Sequence, residues 1–301
     1  MPTTGNANIP DPRLRAGGFV QIRAFSKINL ILEILEKRSD GYHELRSVMQ
    51  SLALHDCLEI KIDGKMPFEL ICNDPNLPTD HRNLVTRAAT YMIETFNITK
   101  PIRIDLTKRI PQGAGLGGGS SDCAAALIGI NELFDLKIHQ QNLLKIGQQF
   151  GADVPFCVLG GTALAEGIGE KLTPLPPLPH CFVVLACQKS EVSTREVFTN
   201  WKPSIKNTSK IPTMIKAIEN NDLTKIATNL YNDLTVITNK KYNIQQLIEE
   251  MIKTGAINAT MSGSGPTVFG FFSQQETAKK AHAHMESITG RAFLTEIVNS
   301  K

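Results

Sequence analysis

Residues 20 to 35 alternate in character, with Val20, Ile22, Ala24, Ser26, Ile28, Leu30, Leu32 and Ile34 on one face of an extended chain and Lys27 and Asn29 on the other. That period of two predicts a long half-buried strand. Shorter apolar runs predict strands at 57–63, 67–72 and 102–108, with a helix over 84–96 before the last of them. A glycine-rich segment then leads into an alanine-rich helix over 121–134, and IHQQNLLKIGQQFG reads as a second helix closed at Gly151 as its C-cap. Four prolines in TPLPPLPH, residues 173–180, interrupt helix and strand alike and mark the clearest boundary. Beyond it the pattern predicts a strand at CFVVLAC, helices at 211–220, 222–231 and 243–254, a strand in TVFGFF, a helix over 274–288 and a closing strand over 292–298. The order suits a small sheet with helices on one face, and the chain as a whole reads as α+β. The expected units are 20–172 and 173–301, with 1–19 a mobile extension.

Composition narrows the class without naming a chemistry. A chain of 301 residues with 42% hydrophobic content can bury a sizeable core, and a net charge of +3 is too small to argue for nucleic acid. Six cysteines lack C-x-x-C spacing and lie mostly in apolar segments, which predicts reduced thiols and a cytoplasmic protein. No apolar run approaches membrane-spanning length, and the first nineteen residues lack the apolar segment of a secretory signal. The seven histidines show no zinc spacing, so no metal ligand is assigned.

The stretch PQGAGLGGGSSDCAAA, Pro111 to Ala126, changes the picture. Glycine permits the tight turns that gather backbone N–H groups around an anion, and the following helix adds its unpaired N-terminal N–H groups and the positive end of its dipole. A phosphate-bearing nucleotide is the expected ligand. Gly113, Gly115 and Gly118 satisfy G-x-G-x-x-G, but a dinucleotide-binding unit requires a parallel strand after the helix, and a helical pattern follows instead. No Lys-Ser or Lys-Thr closes the run, so it is no Walker loop. A flexible glycine linker is disfavoured by the regular helix that follows at once.

Three motifs in order carry a family resemblance. AFSKINL at 24–30, PQGAGLGGGSSDCAAA at 111–126 and MSGSGPTVFG at 261–270 resemble the three motifs of the GHMP small-molecule kinases. Within that family, DGYHEL at 40–45 and GADVPF at 151–156 resemble members of the non-mevalonate isoprenoid pathway that phosphorylate a hydroxyl of a cytidine-diphosphate-linked polyol. The resemblance spans residues 20 to 300. It implies a ribosomal-S5-like N-terminal domain, a ferredoxin-like C-terminal domain, an active site between them, and ATP with Mg²⁺. The rival readings are another GHMP kinase of mevalonate or homoserine type, an NAD(P)-dependent oxidoreductase, and an S5-like RNA-binding module, the last lacking a basic stripe.

By the same resemblance, Lys27 and Asp153 are the catalytic pair, against plain readings as a solvated strand residue and a loop carboxylate satisfying backbone N–H groups. Pro111, Gly113, Gly115, Leu116, Gly117, Gly118, Gly119, Ser120 and Ser121 would cradle the phosphates. Asn83 and Lys108 would contact the nucleoside, although Asn83 reads equally as the N-cap of the helix at Leu84. Tyr42 and Phe198 would sandwich the cytosine and His43 would bond its edge, where the sequence alone offers a turn after Asp40-Gly41 with ordinary surface side chains. Asn29, Gly263, Ser264 and Gly265 would complete the acceptor side. Asp122 would place like charge near phosphate unless it points away or meets Mg²⁺. Cys123, at a helix start, reads as small-residue packing rather than a reactive thiol.

Overall fold

The chain turns back at Asp40-Gly41, where Gly41 has a φ of 89°, and so folds its first long alternating run into a hairpin. The computed structural model describes residues 14–16, 18–189, 192–202 and 208–299. A short strand β1 (Leu14–Ala16) lies antiparallel to β2 (Phe19–Lys37), which pairs antiparallel with β3 (His43–Lys61) from Phe19↔Lys61 to Lys37↔His43. Part of the expected mobile extension is therefore strand; residues 1–13 and 17 lie outside the described residues.

β3 is 19 residues long, and its second edge is shared among three partners. Next come β4 (Phe68–Cys72), α1 (Leu84–Thr95) and β5 (Ile102–Thr107); β4 and β5 are parallel across the α1 crossover, and β5 pairs with residues 57–61 of β3. Three successive helices follow, α2 (Gly118–Leu133), α3 (Gln140–Gln148) and α4 (Val154–Leu159). No parallel strand follows α2, as the Rossmann arrangement would need. β6 (Thr162–Gly167) then pairs with residues 45–50 of β3, and β7 (Lys171–Pro174) with β6. The expected boundary at 173 thus falls inside a strand.

The second half contains β8 (Phe182–Ala186), α5 (Thr194–Thr199), α6 (Ile211–Glu219), α7 (Leu223–Thr228), β9 (Tyr231–Asn232), α8 (Thr235–Tyr242), α9 (Ile244–Lys253), β10 (Asn258–Met261), β11 (Val268–Phe272), α10 (Gln275–Thr289) and β12 (Ala292–Val298). Its sheet has the antiparallel order β12-β8-β11-β10. Two seams join it to the first half. Ile297 and Val298 of β12 pair with Leu52 and Ser51 of β3, and β9 lies parallel to β2 at Ile31 and Leu32.

This joining explains why the half-buried strand expected at 20–35 is buried on both faces from Ala24 to Ile34. One apolar core lies where α1 and α2 cover the hairpin, with Met92, Ala124 and Leu127 near Ile22 and Leu58. A second holds Leu30, Leu52, Val183 and Met214, and a third holds Val184, Ala186, Met251 and Met285. β8 therefore sends alternate side chains into two cores and reads as an unbroken apolar run. Register shifts between Phe25 and Lys27, Asn29 and Ile31, and Ile34 and Glu36 re-aim β2 where Lys27 and Asn29 must turn toward a cleft. The expected C-cap at Gly151 is not formed. α3 ends at Gln148 with Gln149 as its C-cap, and a second short helix, α4, starts three residues beyond that glycine.

Candidate active site

A cleft of about 1090 Å³ opens between the glycine segment, the β2–β3 turn, α5 and the 263–264 turn. α2 starts at Gly118, three residues before the start expected from sequence, so Gly118, Gly119 and Ser120 form its first turn. Its N-cap is Gly117, left-handed at φ 71° and without a side chain to bond the helix's first N–H groups. Those donors are left for a ligand. A Cβ on Gly117 would lie 2.9 Å from Lys27 Cγ, and one on Gly115 (φ 74°) would lie 2.2 Å from the Ser262 carbonyl oxygen. Both positions need glycine for space as well as for φ. The Ser262 hydroxyl donates to the Gly115 carbonyl at 2.8 Å and ties the segment to the turn after β10.

Pro111, Gly113, Gly115, Leu116, Gly117, Gly118, Gly119 and Ser120 all line the cleft. Ser121 does not: its hydroxyl donates to the Phe25 carbonyl at 2.7 Å and its N–H to Gly117, which turns it into the protein. Gly263 and Ser264 line the cleft, whereas Gly265 is turned from it, crowded by Met261 and Thr238. Asn232 donates to the Met261 and Gly263 carbonyls at 2.8 Å each and holds this turn in place.

Lys27 is buried, its ammonium 2.8 Å from Asn29 Oδ1 and 3.3 Å from Asp153 Oδ2. Asn29 in turn donates to the Ser47 hydroxyl at 2.8 Å, which fixes the orientation of its amide. Asp153 is the N-cap residue of α4 but makes no side-chain cap bond, so its carboxylate, 36% exposed, is committed only to Lys27 and faces the cleft. The plain readings of a solvated lysine and a backbone-satisfying aspartate do not hold.

At the other end, the His43 ring lies 5.5 Å from that of Phe198 on α5 and 5.6 Å from that of Trp201. Burial, aided by the Lys37 charge, pushes the imidazole below its ordinary value and keeps it neutral at pH 7. Tyr42 stands 59% exposed on the cleft rim. Trp201 was missed by sequence reasoning, although it is the only tryptophan of the chain and lies three residues beyond Phe198.

Asn83 and Lys108 both line the cleft, with side chains that also bond within the protein. Asn83 is the N-cap of α1: its Oδ1 accepts from the Val85 N–H at 2.9 Å and its Nδ2 donates to the Pro78 carbonyl at 2.7 Å. Lys108 is buried, its ammonium held by Asp56 and, at 2.7 Å, by Asp122. Asp56 also accepts from the backbone N–H groups of Arg109 and Ile110. Both residues border the cleft, but their polar ends are already occupied. Burial pushes the Asp122 carboxyl up to about 8 against the pull of Lys108, and its Oδ1 has no hydrogen-bond partner. The like charge feared near phosphate is thus largely neutralised at pH 7. Cys123 is fully buried and its thiol is pushed well above the ordinary range by desolvation.

Among the described residues no cluster of three or more His, Cys, Asp or Glu could cage a metal. Beside the glycine segment, the side chains with oxygen donors that line the cleft are Ser120, Asp122 and Asp153. Such a sparse, hard donor set fits a Mg²⁺ that keeps its waters and arrives on nucleotide phosphates.

Comparison with known proteins agrees with this geometry. Residues 83–161 match the model of the GHMP kinases N terminal domain and 214–291 that of the GHMP kinases C terminal domain. The 4-diphosphocytidyl-2-C-methyl-D-erythritol kinase of Acetivibrio thermocellus is 41% identical over 282 residues, covering 93% of this chain and 99% of the relative. That of Lachnoclostridium phytofermentans is 42% identical over 287 residues, covering 94% and 98%. A solved 4-(cytidine 5'-diphospho)-2C-methyl-D-erythritol kinase superposes with a TM-score of 0.79 at 30% identity, covering 92% of this chain and 98% of that one. A homoserine kinase from Cytophaga hutchinsonii shares the fold, with a TM-score of 0.74 at 20% identity, covering 95% and 96%. Near-complete coverage by such relatives, together with the two matching domain models, means that the chain belongs to the GHMP kinase family.

Proposed function

We propose that this protein is a 4-diphosphocytidyl-2-C-methyl-D-erythritol kinase of the non-mevalonate isoprenoid pathway, transferring the γ-phosphoryl group of ATP to the 2-hydroxyl of its substrate. The observation that carries the reading is one continuous cleft with an open helix N-terminus and the Lys27–Asp153 pair at one end and His43 with Phe198 at the other. Those ends suit a triphosphate beside an acceptor hydroxyl, and a base held at a distance from that hydroxyl. In this reading residues 20–172 supply the ATP side and 173–301 close the cleft.

Phosphoryl transfer passes through a loose transition state, so positioning and charge neutralisation dominate catalysis. Asp153 accepts a hydrogen bond from the acceptor hydroxyl, orients it in line, and takes its proton as the new oxygen–phosphorus bond forms and the bond to the β-phosphate oxygen breaks, releasing ADP. Lys27, fixed by Asn29, holds Asp153 in place and stabilises the developing charge on the transferred group. The N–H groups of Gly118, Gly119 and Ser120 hold the phosphates. Ser120, Asp122 and Asp153, which line this end of the cleft, would hold a Mg²⁺ carried by the nucleotide, and the ion would supply neutralisation of phosphate charge.

The test is ATP consumption by the purified protein with Mg²⁺ and the cytidyl substrate, with mevalonate and homoserine in parallel. Turnover of the cytidyl substrate alone is expected. Turnover of either other alcohol in its place overturns the cytosine assignment and leaves the ATP site standing.

A further inference from the structure

Five cationic side chains line the cleft: Lys27, Lys37, Arg82, Lys108 and Arg195. Three of them are already neutralised. Lys27 faces Asp153 at 3.3 Å, Lys108 is held between Asp56 and Asp122, and Arg82 is clasped by Asp80 with its Nη2 2.9 Å from Oδ2. Among the described residues, Lys37 and Arg195 have no carboxylate partner. Both sit at the aromatic end. Lys37 stands opposite His43 in the β2–β3 ladder and its charge is felt by that imidazole. Arg195 lies on α5 one turn before Phe198, whose ring borders His43, and both residues line the cleft.

The backbone beneath Arg195 is anchored. Ser193 caps α5 by accepting from the Glu196 N–H at 3.3 Å, and the hydroxyls of Thr194 and Ser264 lie 2.9 Å apart, pinning the start of α5 to the turn after β10. A guanidinium so placed offers a planar fork of donors that matches phosphate oxygens in pairs. An unneutralised cation in a ligand cleft, with a fixed backbone and beside the rings of His43, Phe198 and Trp201, calls for an anion attached to the base.

We propose that Arg195, assisted by Lys37, binds the diphosphate that links cytosine to the polyol in the acceptor substrate. This rests on the cytidyl-substrate reading above and adds to it the residue that makes the phosphates, rather than the base alone, a determinant of specificity. The pair thereby distinguishes an acceptor carrying a nucleoside diphosphate from a free polyol of similar shape.

Binding of cytidine and of cytidine diphosphate to the full chain, measured by calorimetry without ATP, tests the proposal. The wild-type protein should bind the diphosphate more tightly than the nucleoside. Arg195→Ala should weaken diphosphate binding by about tenfold, the size of one solvent-screened charged hydrogen bond, and leave cytidine binding unchanged. Arg195→Lys should recover part of that loss, and the wild-type preference should shrink as salt rises. If the wild type prefers the diphosphate and Arg195→Ala keeps that preference in full, the proposal falls while the cytidyl-substrate reading survives. Equal weakening of both ligands would mean that Arg195 acts through the position of Phe198, which also overturns it. If the wild-type protein binds neither ligand, the cytidyl-substrate reading falls first and takes this proposal with it.

Discussion

Asp56 does not line the cleft, yet its removal should disturb the phosphate end. The carboxylate is fully buried on β3 and accepts from Lys108 and from the backbone N–H groups of Arg109 and Ile110, the residues that lead into the glycine segment. Asp56→Ala strands two backbone donors and removes the ionised partner of a buried ammonium. Breaking such a pair costs about 3–5 kcal/mol. With an unfolding entropy of about 2.1 cal/mol/K per residue, 301 residues give about 0.6 kcal/mol/K, hence a fall in Tm of roughly 5–8 °C. Asp56→Asn keeps a carbonyl oxygen for the two N–H groups, and Lys108 retains Asp122. That variant should lose only about 1–2 kcal/mol, or roughly 2–3 °C. Thermal unfolding of the two variants, with the Kd for ATP measured on the folded protein, checks the reasoning. Equal destabilisation by Ala and Asn would refute it, because the backbone clamp would then contribute nothing beyond the charge.

Asp153→Asn should lower turnover by about 10²- to 10⁴-fold while the Kd for ATP stays near the wild-type value, and a variant that kept most of its activity would remove Asp153 from the chemistry. Gly117→Ala, left-handed at φ 71° and 2.9 Å from Lys27 Cγ, should lose about 1–2 kcal/mol and weaken ATP binding; Gly119→Ala, with open space around its Cβ, should not lower the melting temperature. The raised Asp122 carboxyl, at about 8 in the native state and near 3.8 unfolded, means that the folded protein holds a proton the unfolded chain releases. Its contribution to stability is complete below pH 3.8 and is lost as pH rises through about 8. The Tm difference between wild type and Asp122→Asn should therefore shift against the wild type from pH 5 to pH 8, and a constant difference would contradict the assignment.

Local pattern made much of the fold legible. The glycine turns, the alanine-rich α2, the helix at Leu84 and the closing strand all follow from short-range rules, as does the two-domain α+β class. The long-range pairing was not legible. The stretch HELRSVMQSLALHD of β3 alternates poorly because its edge meets β6 and then β12 before β5 takes over at Cys57, and each contact buries a different set of positions. At the site, Lys27 and Asp153 carry the family motif and do meet. Lys108 shows the opposite case: nothing in the sequence relates it to Asp56, 52 residues away, and only the fold reveals that its charge is already matched. Trp201 escaped because it lies outside every motif, and the N-cap role of Asn83 was one of two readings the sequence left open.

The seam between β12 and β3 has a consequence for how the protein is made. Gln50 donates to the Val298 carbonyl across 248 residues of chain, and its Oε1 accepts from Thr162. The middle of β3 therefore waits, during synthesis, until residues 297 and 298 have left the ribosome. Until then the N-terminal sheet carries an unpaired stretch of edge, the kind of surface on which nascent chains associate wrongly. The loop to be closed is long, and contacts of such high sequence separation slow folding. The β9–β2 seam at Tyr231 and Asn232 is available earlier, so a chain truncated shortly before Ile297 would keep that join while leaving the middle of β3 unpaired on this edge.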